Sequence, residues 1–264
     1  MLADEAMKLP RLLFAEMTRE ELRAAASDAL VVLPLGATEQ HGPHLPVGTD
    51  YFTVEHVARA AGALAAEEIP LLVAPALPFG CSQHHIPFGG TFSLTTETYY
   101  QAVRDLTLAA IRSGFRRLFL LNGHGGNHEL AQLAARDLAL EYPAHIAAAS
   151  YWNIAWDALV AEQAHVGMGL PGHAGIFETS VMLALREELV AGDRPRRDDV
   201  PDSDPRGFAK PYRAEFHGWW QSVNGFTDSP DRATAERGRR YTRAINHAVA
   251  QAFVEFYRAC EATP

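Results

Sequence analysis

Three short stretches crowd ionisable side chains against glycine and proline: LPLGATEQHGPHLPVGTD at 33–50, FLLNGHGGNHE at 119–129 and PGHAGIFETSVMLAL at 171–185. In the first, Glu39 and His41 stand two positions apart, which in extended backbone puts both on one face. Asp50 follows a loop pinned by Gly42, Pro43, Pro46 and Gly48. In the second, His124 lies in a glycine-rich turn that allows close backbone approach. In the third, His173 sits in a glycine-bounded turn and Glu178 opens an apolar helix. Taken singly, Asp50 reads as a helix N-cap and Glu178 as an acid favoured by a helix dipole. Together, Glu39, His41, Asp50, His124 and Glu178 offer two imidazoles and three carboxylates. Without a thiolate, such a set suits Zn, Mn or Fe better than Mg. Three carboxylates against two divalent cations leave a formal surplus of about one positive charge, which favours a bound hydroxide at neutral pH. Phosphate binding by the NGHGGN turn is the rival reading. It lacks the Lys-Ser/Thr of a P-loop, and His128 stands where G-x-G-x-x-G needs its last glycine.

These side chains have to be held by something. Short apolar runs alternate with helical periods, the pattern of a mostly parallel sheet flanked by helices. Strands are expected near Ala29 to Leu35, Leu71 to Ala76, Arg117 to Leu121 and His145 to Ser150. Helices are expected at about Tyr51 to Ala66, Thr96 to Ser113, Asn127 to Glu141, Ile176 to Leu185 and Asp231 to Tyr257, with Thr95 or Thr96 capping the second. In the last, Ile245, Val249, Phe253 and Phe256 recur on one face. The stretch from Asp193 to Ser229, with Trp219 and Trp220 embedded, reads as a long excursion with little regular structure. The fold class is α/β, with all 264 residues forming one domain. Every candidate ligand falls at a strand's end or a helix's start, where open α/β sheets assemble their sites.

Composition narrows the partners. The chain is 48% hydrophobic and 21% charged, enough apolar side chain for a sizeable core. A formal net charge of -9 supplies no positive field for nucleic acid or anionic membranes, so a small molecule is the expected partner. Cys81 and Cys260 are too far apart in sequence to suggest a disulfide framework. No leader or membrane span is evident in the N-terminal sequence, and a cytoplasmic setting is expected. Twelve histidines are the unusual count, and histidine is both the commonest metal ligand and the usual proton shuttle near neutrality.

In combination the three motifs resemble those of the creatininase (creatinine amidohydrolase) family, over most of the chain from Gly36 to Leu185, with a weaker echo in TDSPDRATAERGRR. The resemblance implies a three-layer α/β/α sandwich and a homo-oligomer, often a hexamer. It implies two divalent ions per chain (Zn, Mn or Fe), one held by Glu39, Asp50 and His124 and the other by His41, Asp50 and Glu178, with Asp50 bridging. A metal-bridging water would be the nucleophile, and His173 would carry a proton to the departing nitrogen. Creatinine-hydrolysing members have Tyr-Glu where Gly125-Gly126 stand here, and a Trp shortly before the position of His173, where this chain has Met168 and Gly169. The wording is closer to the branch that includes formamide-cleaving enzymes and the mycofactocin peptidase. A metal-dependent amidohydrolase acting on a cyclic amide, formamide or peptide-like C–N bond is therefore expected. A mycofactocin-type peptidase is the alternative, and a non-catalytic metal-binding protein or a dinucleotide-dependent oxidoreductase are alternatives of other classes.

Other residues make weaker claims. His84 and His85 lie in a loop that borders the substrate pocket in the family, although either reads equally well as a hydrogen-bonded structural residue. Tyr151 and Trp152 either wall the pocket or pack in the core. Cys81 reads as a small packed residue, and no G-x-S-x-G elbow occurs.

Overall fold

The computed structural model describes residues 9, 11–164, 172–197 and 214–262. In chain order the helices and strands are α1 (Arg19–Ala25), β1 (Leu30–Leu35), α2 (Thr49–Ala65), β2 (Leu71–Val73), α3 (Thr96–Arg112), β3 (Arg117–Asn122), α4 (His128–Glu141), β4 (His145–Ser150), α5 (Tyr151–Ile154), α6 (Trp156–Ala161), α7 (Ile176–Leu185), α8 (Trp219–Ser222) and α9 (Ala235–Glu261). All strand pairs are parallel, in the order β2-β1-β3-β4.

Alternation along β1 explains the layers. Leu30 and Val32 enter a core shared with α2, α7 and α9, whereas Leu33 and Leu35 turn to the opposite face and meet Tyr99 and Val103 of α3 and Ala131 and Ala134 of α4. With both faces covered, the strand is apolar throughout, as parallel strands require. The expected α/β/α sandwich is what forms. On α9, Ile245, Val249 and Phe253 are buried against the sheet, each worth about 1.5–3 kcal/mol of burial. Phe256 reaches Phe119 edge-on at 5.7 Å.

Several boundaries differ from expectation, for local reasons. β2 stops at Val73 because, after Ala74 N–H donates to the Val32 carbonyl at 2.8 Å, the next bond of the ladder would need an N–H on Pro34 of β1; contact resumes at Leu77, which donates to the Pro34 carbonyl and accepts from Gly36 N–H, each at 2.9 Å. α9 begins at Ala235, not Asp231, because Thr234 caps it by accepting from Arg237 N–H at 3.2 Å, while Pro230–Arg232 forms a separate 3-10 turn. Thr95 caps α3 as expected. The unforeseen α1 carries a capping box, Thr18 with Glu21. Of the excursion expected at 193–229, residues 198–213 lie outside the described residues, as do Met168 and Gly169; its described part includes α8. Among the described residues no helix is long and apolar enough to cross a membrane.

The register pairs Leu35 with Asn122, so the carboxyl ends of β1 and β3 lie side by side and Gly123 N–H donates to the Leu35 carbonyl at 2.8 Å. A methyl on Gly123 would sit 2.6 Å from Val54 Cβ. Glycine there lets the first turns of α2, which carry Asp50, close onto the end of β3.

Candidate metal centre

Asn122 closes the turn after β3: its side-chain oxygen accepts from His124 N–H at 3.1 Å and its amide donates to the His124 carbonyl at 2.7 Å. The imidazole Nε2 of His124 is 3.2 Å from both the Cys81 carbonyl and Ser82 Oγ. A proton on Nε2, donated to the carbonyl, leaves the Nδ1 lone pair facing Glu39 Oε1 at 3.3 Å and Asp50 Oδ2 at 3.0 Å. Gly126 is required beside it, since an added Cβ would fall on the Cys81 carbonyl and 2.6 Å from His124 Nε2. That contact explains why no larger residue stands at this position.

His41 is oriented in the same manner. Its Nδ1–H donates to the main-chain carbonyl of Glu39 at 3.1 Å, so the Nε2 lone pair faces Asp50 Oδ1 at 3.2 Å and Glu178 Oε2 at 3.7 Å. Such outer hydrogen bonds fix a ligating ring's tautomer and direction. Asp50 therefore presents one oxygen to each histidine. Glu178, in the first turn of α7, accepts from Ala174 N–H at 2.5 Å. Ala174 itself adopts a left-handed backbone with φ of 49° between Gly172 and Gly175, local strain of the kind that clusters at functional sites.

All five residues are buried, and both oxygens of Glu39 and Oδ2 of Asp50 have no hydrogen-bond partner among the described residues. A bare buried carboxylate is costly unless a cation or a protonated neighbour balances it. Burial opposes charge on His41, but Asp50 and then Glu178 and Glu39 overcome it and raise its pKa to about 10. Burial opposes charge on His124 too, and Glu39 and Asp50 again prevail, holding it well above the ordinary value. Burial lifts Glu178 to about 8 against the pull of His41. Positive charge is thus favoured among these carboxylates, whether as protons on the histidines or as a divalent cation in their place.

His173 stands at the edge of the cluster, its Nδ1 3.7 Å from Glu39 Oε1 and its ring 4.3 Å from that of His41. Thr227 anchors it, accepting from His173 N–H at 2.8 Å and returning its own N–H to the His173 carbonyl at 2.9 Å. Ligand-capable atoms of Glu39, His41 and Asp50 lie within 4.8 Å of one another, as do those of His41, His173 and Glu178, of Glu39, His85 and His173, and of Glu39, His84 and His124. These groupings cut across the two ligand sets expected from the resemblance. His84 and His85 are brought to the cluster, with His85 Nε2 3.5 Å from Glu39 Oε1. Trp152 and Tyr151 instead pack in the main core with Phe177 and Tyr241. Burial raises the Tyr151 hydroxyl pKa well above its usual value, with Glu178 and Asp50 adding to the effect.

Residues not foreseen complete the surroundings. Trp220 of α8 lies over His85, His84 and His173, with ring centroids 4.6, 5.1 and 5.3 Å away. Gln40 threads between His85 and His173. Asp228 Oδ1 accepts from Ile176 N–H at 2.5 Å and so caps the helix carrying Glu178. Burial raises Asp228 to about 6 from 3.8. A carboxyl whose folded pKa is raised stabilises the fold below its unfolded pKa and loses that contribution as pH rises through the folded value. Asp228→Asn keeps the acceptor and removes the charge, so at pH 7.5 it should be more stable than the parent by about 1–3 kcal/mol, the gain vanishing below about pH 4. Urea titrations at both pH values check this, and a variant less stable at pH 7.5 would refute it.

The comparisons fit this geometry. A model of the family described as "Creatininase: Creatinine amidohydrolase" matches residues 15–253. The chain belongs to the creatininase family. It is 36% identical to creatinine amidohydrolase of Pseudomonas putida over 205 residues, 71% of this chain and 74% of that one. To the mycofactocin precursor peptide peptidase of Mycobacterium tuberculosis H37Rv it is 34% identical over 243 residues, 85% of this chain and 87% of that one. Two solved creatininase structures, a manganese form and a Zn-Zn type, each superpose with a TM-score of 0.75 at 29% identity, covering 96% of this chain and 99% of theirs. The creatininase-family relatives are hydrolases by name, and this chain is a hydrolase of that family.

Proposed function

We propose that this creatininase-family chain is a metal-dependent amidohydrolase that cleaves a small C–N bond, in a cyclic amide, a formamide or a peptide-like group. Glu39, Asp50 and His124 would hold one divalent cation, and His41, Asp50 and Glu178 a second, with Asp50 shared. The observation that carries this reading is three buried carboxylate oxygens without a hydrogen-bond partner among the described residues, both of Glu39 and Oδ2 of Asp50, beside the ring nitrogens of His41 and His124. Nitrogen and oxygen donors without sulfur suit Zn, Mn or Fe. When bound, such ions would lower the pKa of the attacking water and polarise the substrate's oxygen.

The chain's own residues supply the rest. His173 Nδ1 faces the cluster, and from there it can take a proton from water and deliver it to the leaving nitrogen. Trp220 covers the histidines and limits access of bulk water from its side. The main-chain carbonyls of Glu39 and Cys81 keep His41 and His124 turned inward. A second reading, cleavage of a short peptide, is favoured by the likeness to the mycofactocin peptidase over 85% of the chain.

The test is a panel of lactams, formamides and short peptides, run on protein of known metal content. A panel member should be turned over, a chelator should abolish that turnover, and added zinc or manganese should restore it. Turnover indifferent to a chelator that has stripped the metal would overturn the proposal.

A further inference from the structure

We propose that His85 donates a hydrogen bond to the carbonyl oxygen of the scissile C–N group, and that Gln40 is the positioning residue that gives His85 and His173 opposite tautomers. This rests on the hydrolytic reading above and deepens it. Gly42 N–H donates to Gln40 Oε1 at 2.9 Å, which fixes which end of the amide is which. The amide nitrogen therefore points at the Gly225 carbonyl, 3.0 Å away, and at His85 Nδ1, 2.9 Å away. A ring nitrogen that faces an N–H must be the acceptor, so neutral His85 carries its proton on Nε2. That Nε2 is buried, has no hydrogen-bond partner among the described residues and faces the cluster.

His173 is set the other way. Its Nε2 lies 2.9 Å from the main-chain carbonyl of Gln40 and donates to it, which leaves the lone pair on Nδ1. The 3.1 Å approach of the Gln40 amide nitrogen to His173 Nε2 is then donor against donor and not a bond, since both amide hydrogens are already used. The two rings stack at 4.2 Å and 17°, and Trp220 packs over both. One residue thus directs an N–H and a lone pair, side by side, toward the same carboxylate. An amide or formamide matches that pair, with an oxygen that accepts and a nitrogen that must gain a proton. On attack, a C–O bond forms and the carbonyl π pair moves onto the oxygen held by His85 Nε2–H. The proton of the attacking water goes to His173 Nδ1. Collapse breaks the C–N bond and passes that proton to nitrogen, so amide and water become acid and amine. The grouping of Glu39, His85 and His173 also has metal-ligand spacing, but a protonated Nε2 cannot ligate.

Two-bond ¹H–¹⁵N correlation spectra of zinc-loaded protein with ¹⁵N-labelled histidine read the tautomers directly, His85→Phe identifying the His85 signals. His85 should show a protonated Nε2 and a bare Nδ1, and Gln40→Leu should erase that preference. A protonated Nδ1, or an Nε2 shifted by a bound ion, overturns the proposal whether or not a substrate is in hand. On the panel member that the parent turns over, His85→Phe should keep its metal and lose about 100-fold in kcat with KM little changed, as for loss of one transition-state donor. His85→Gln, which retains an N–H, should recover part of that loss. Unchanged kcat in His85→Phe refutes the proposal. Parent activity that survives metal removal would instead refute the metal-dependent reading, while the tautomers seen in the spectrum would still decide the role of Gln40.

Discussion

Asp50→Ala should leave the protein with less than about one divalent ion per chain, where the parent is proposed to hold about two, and with turnover at background. The expectation follows from the way one carboxylate is divided. Oδ1 faces His41 Nε2 at 3.2 Å and Oδ2 faces His124 Nδ1 at 3.0 Å, so the two oxygens of this one carboxylate serve both halves of the cluster. Asp50 lies in the first turn of α2, whose packing is carried by Val54, Val57, Ala58 and Ala61, and the helix should survive the change. Elemental analysis beside a thermal melt separates lost ions from a lost fold. Asp50→Asn is a second variant of the same shape that keeps a neutral oxygen. A folded Asp50→Ala protein that retained both ions would show that the carboxylate is not shared.

His173→Ala should have the opposite profile, with ion content kept and turnover reduced by about 100-fold or more, the scale of a missing proton carrier. Its main chain is clamped by Thr227 on both sides, so truncating the imidazole removes the ring without freeing the loop. The measurement is discriminating because His173 also lies within ligand spacing of His41 and Glu178. Loss of an ion on truncation would make it a ligand and overturn its assignment as proton carrier.

Much of this site is legible in the chain itself. Glu39, His41, Asp50, His124, His173 and Glu178 betray themselves by type and by glycine-rich surroundings at the ends of apolar runs. A parallel sheet then brings the ends of its strands together, and the structure does place these six in one cluster. The rest depends on contacts between residues far apart in the chain. Gln40 sits between two conspicuous residues, yet an amide has no signature until Gly225 and His85 arrive beside it. Trp220 belongs to a stretch whose sequence has no period, so nothing there aims its indole at His85. Asp228 looks like a loop acid and proves to cap a helix about fifty positions earlier. The end of β2 is likewise set from outside it, by Pro34 on the neighbouring strand, which lacks the N–H the ladder needs next. The capping box of α1 is, in contrast, visible in the spacing of Thr18 and Glu21.

Asp50 and Glu178 share a circumstance: each lies in the first turn of a helix, α2 and α7 respectively. The amide dipoles there sum to roughly half a positive charge, which steadies an anion and repels a cation. Two of the three acids proposed to grip the metals do so from ground that pushes the metals away. The field that favours the ionised form of these two carboxylates therefore also subtracts a little from the pull they exert on a cation.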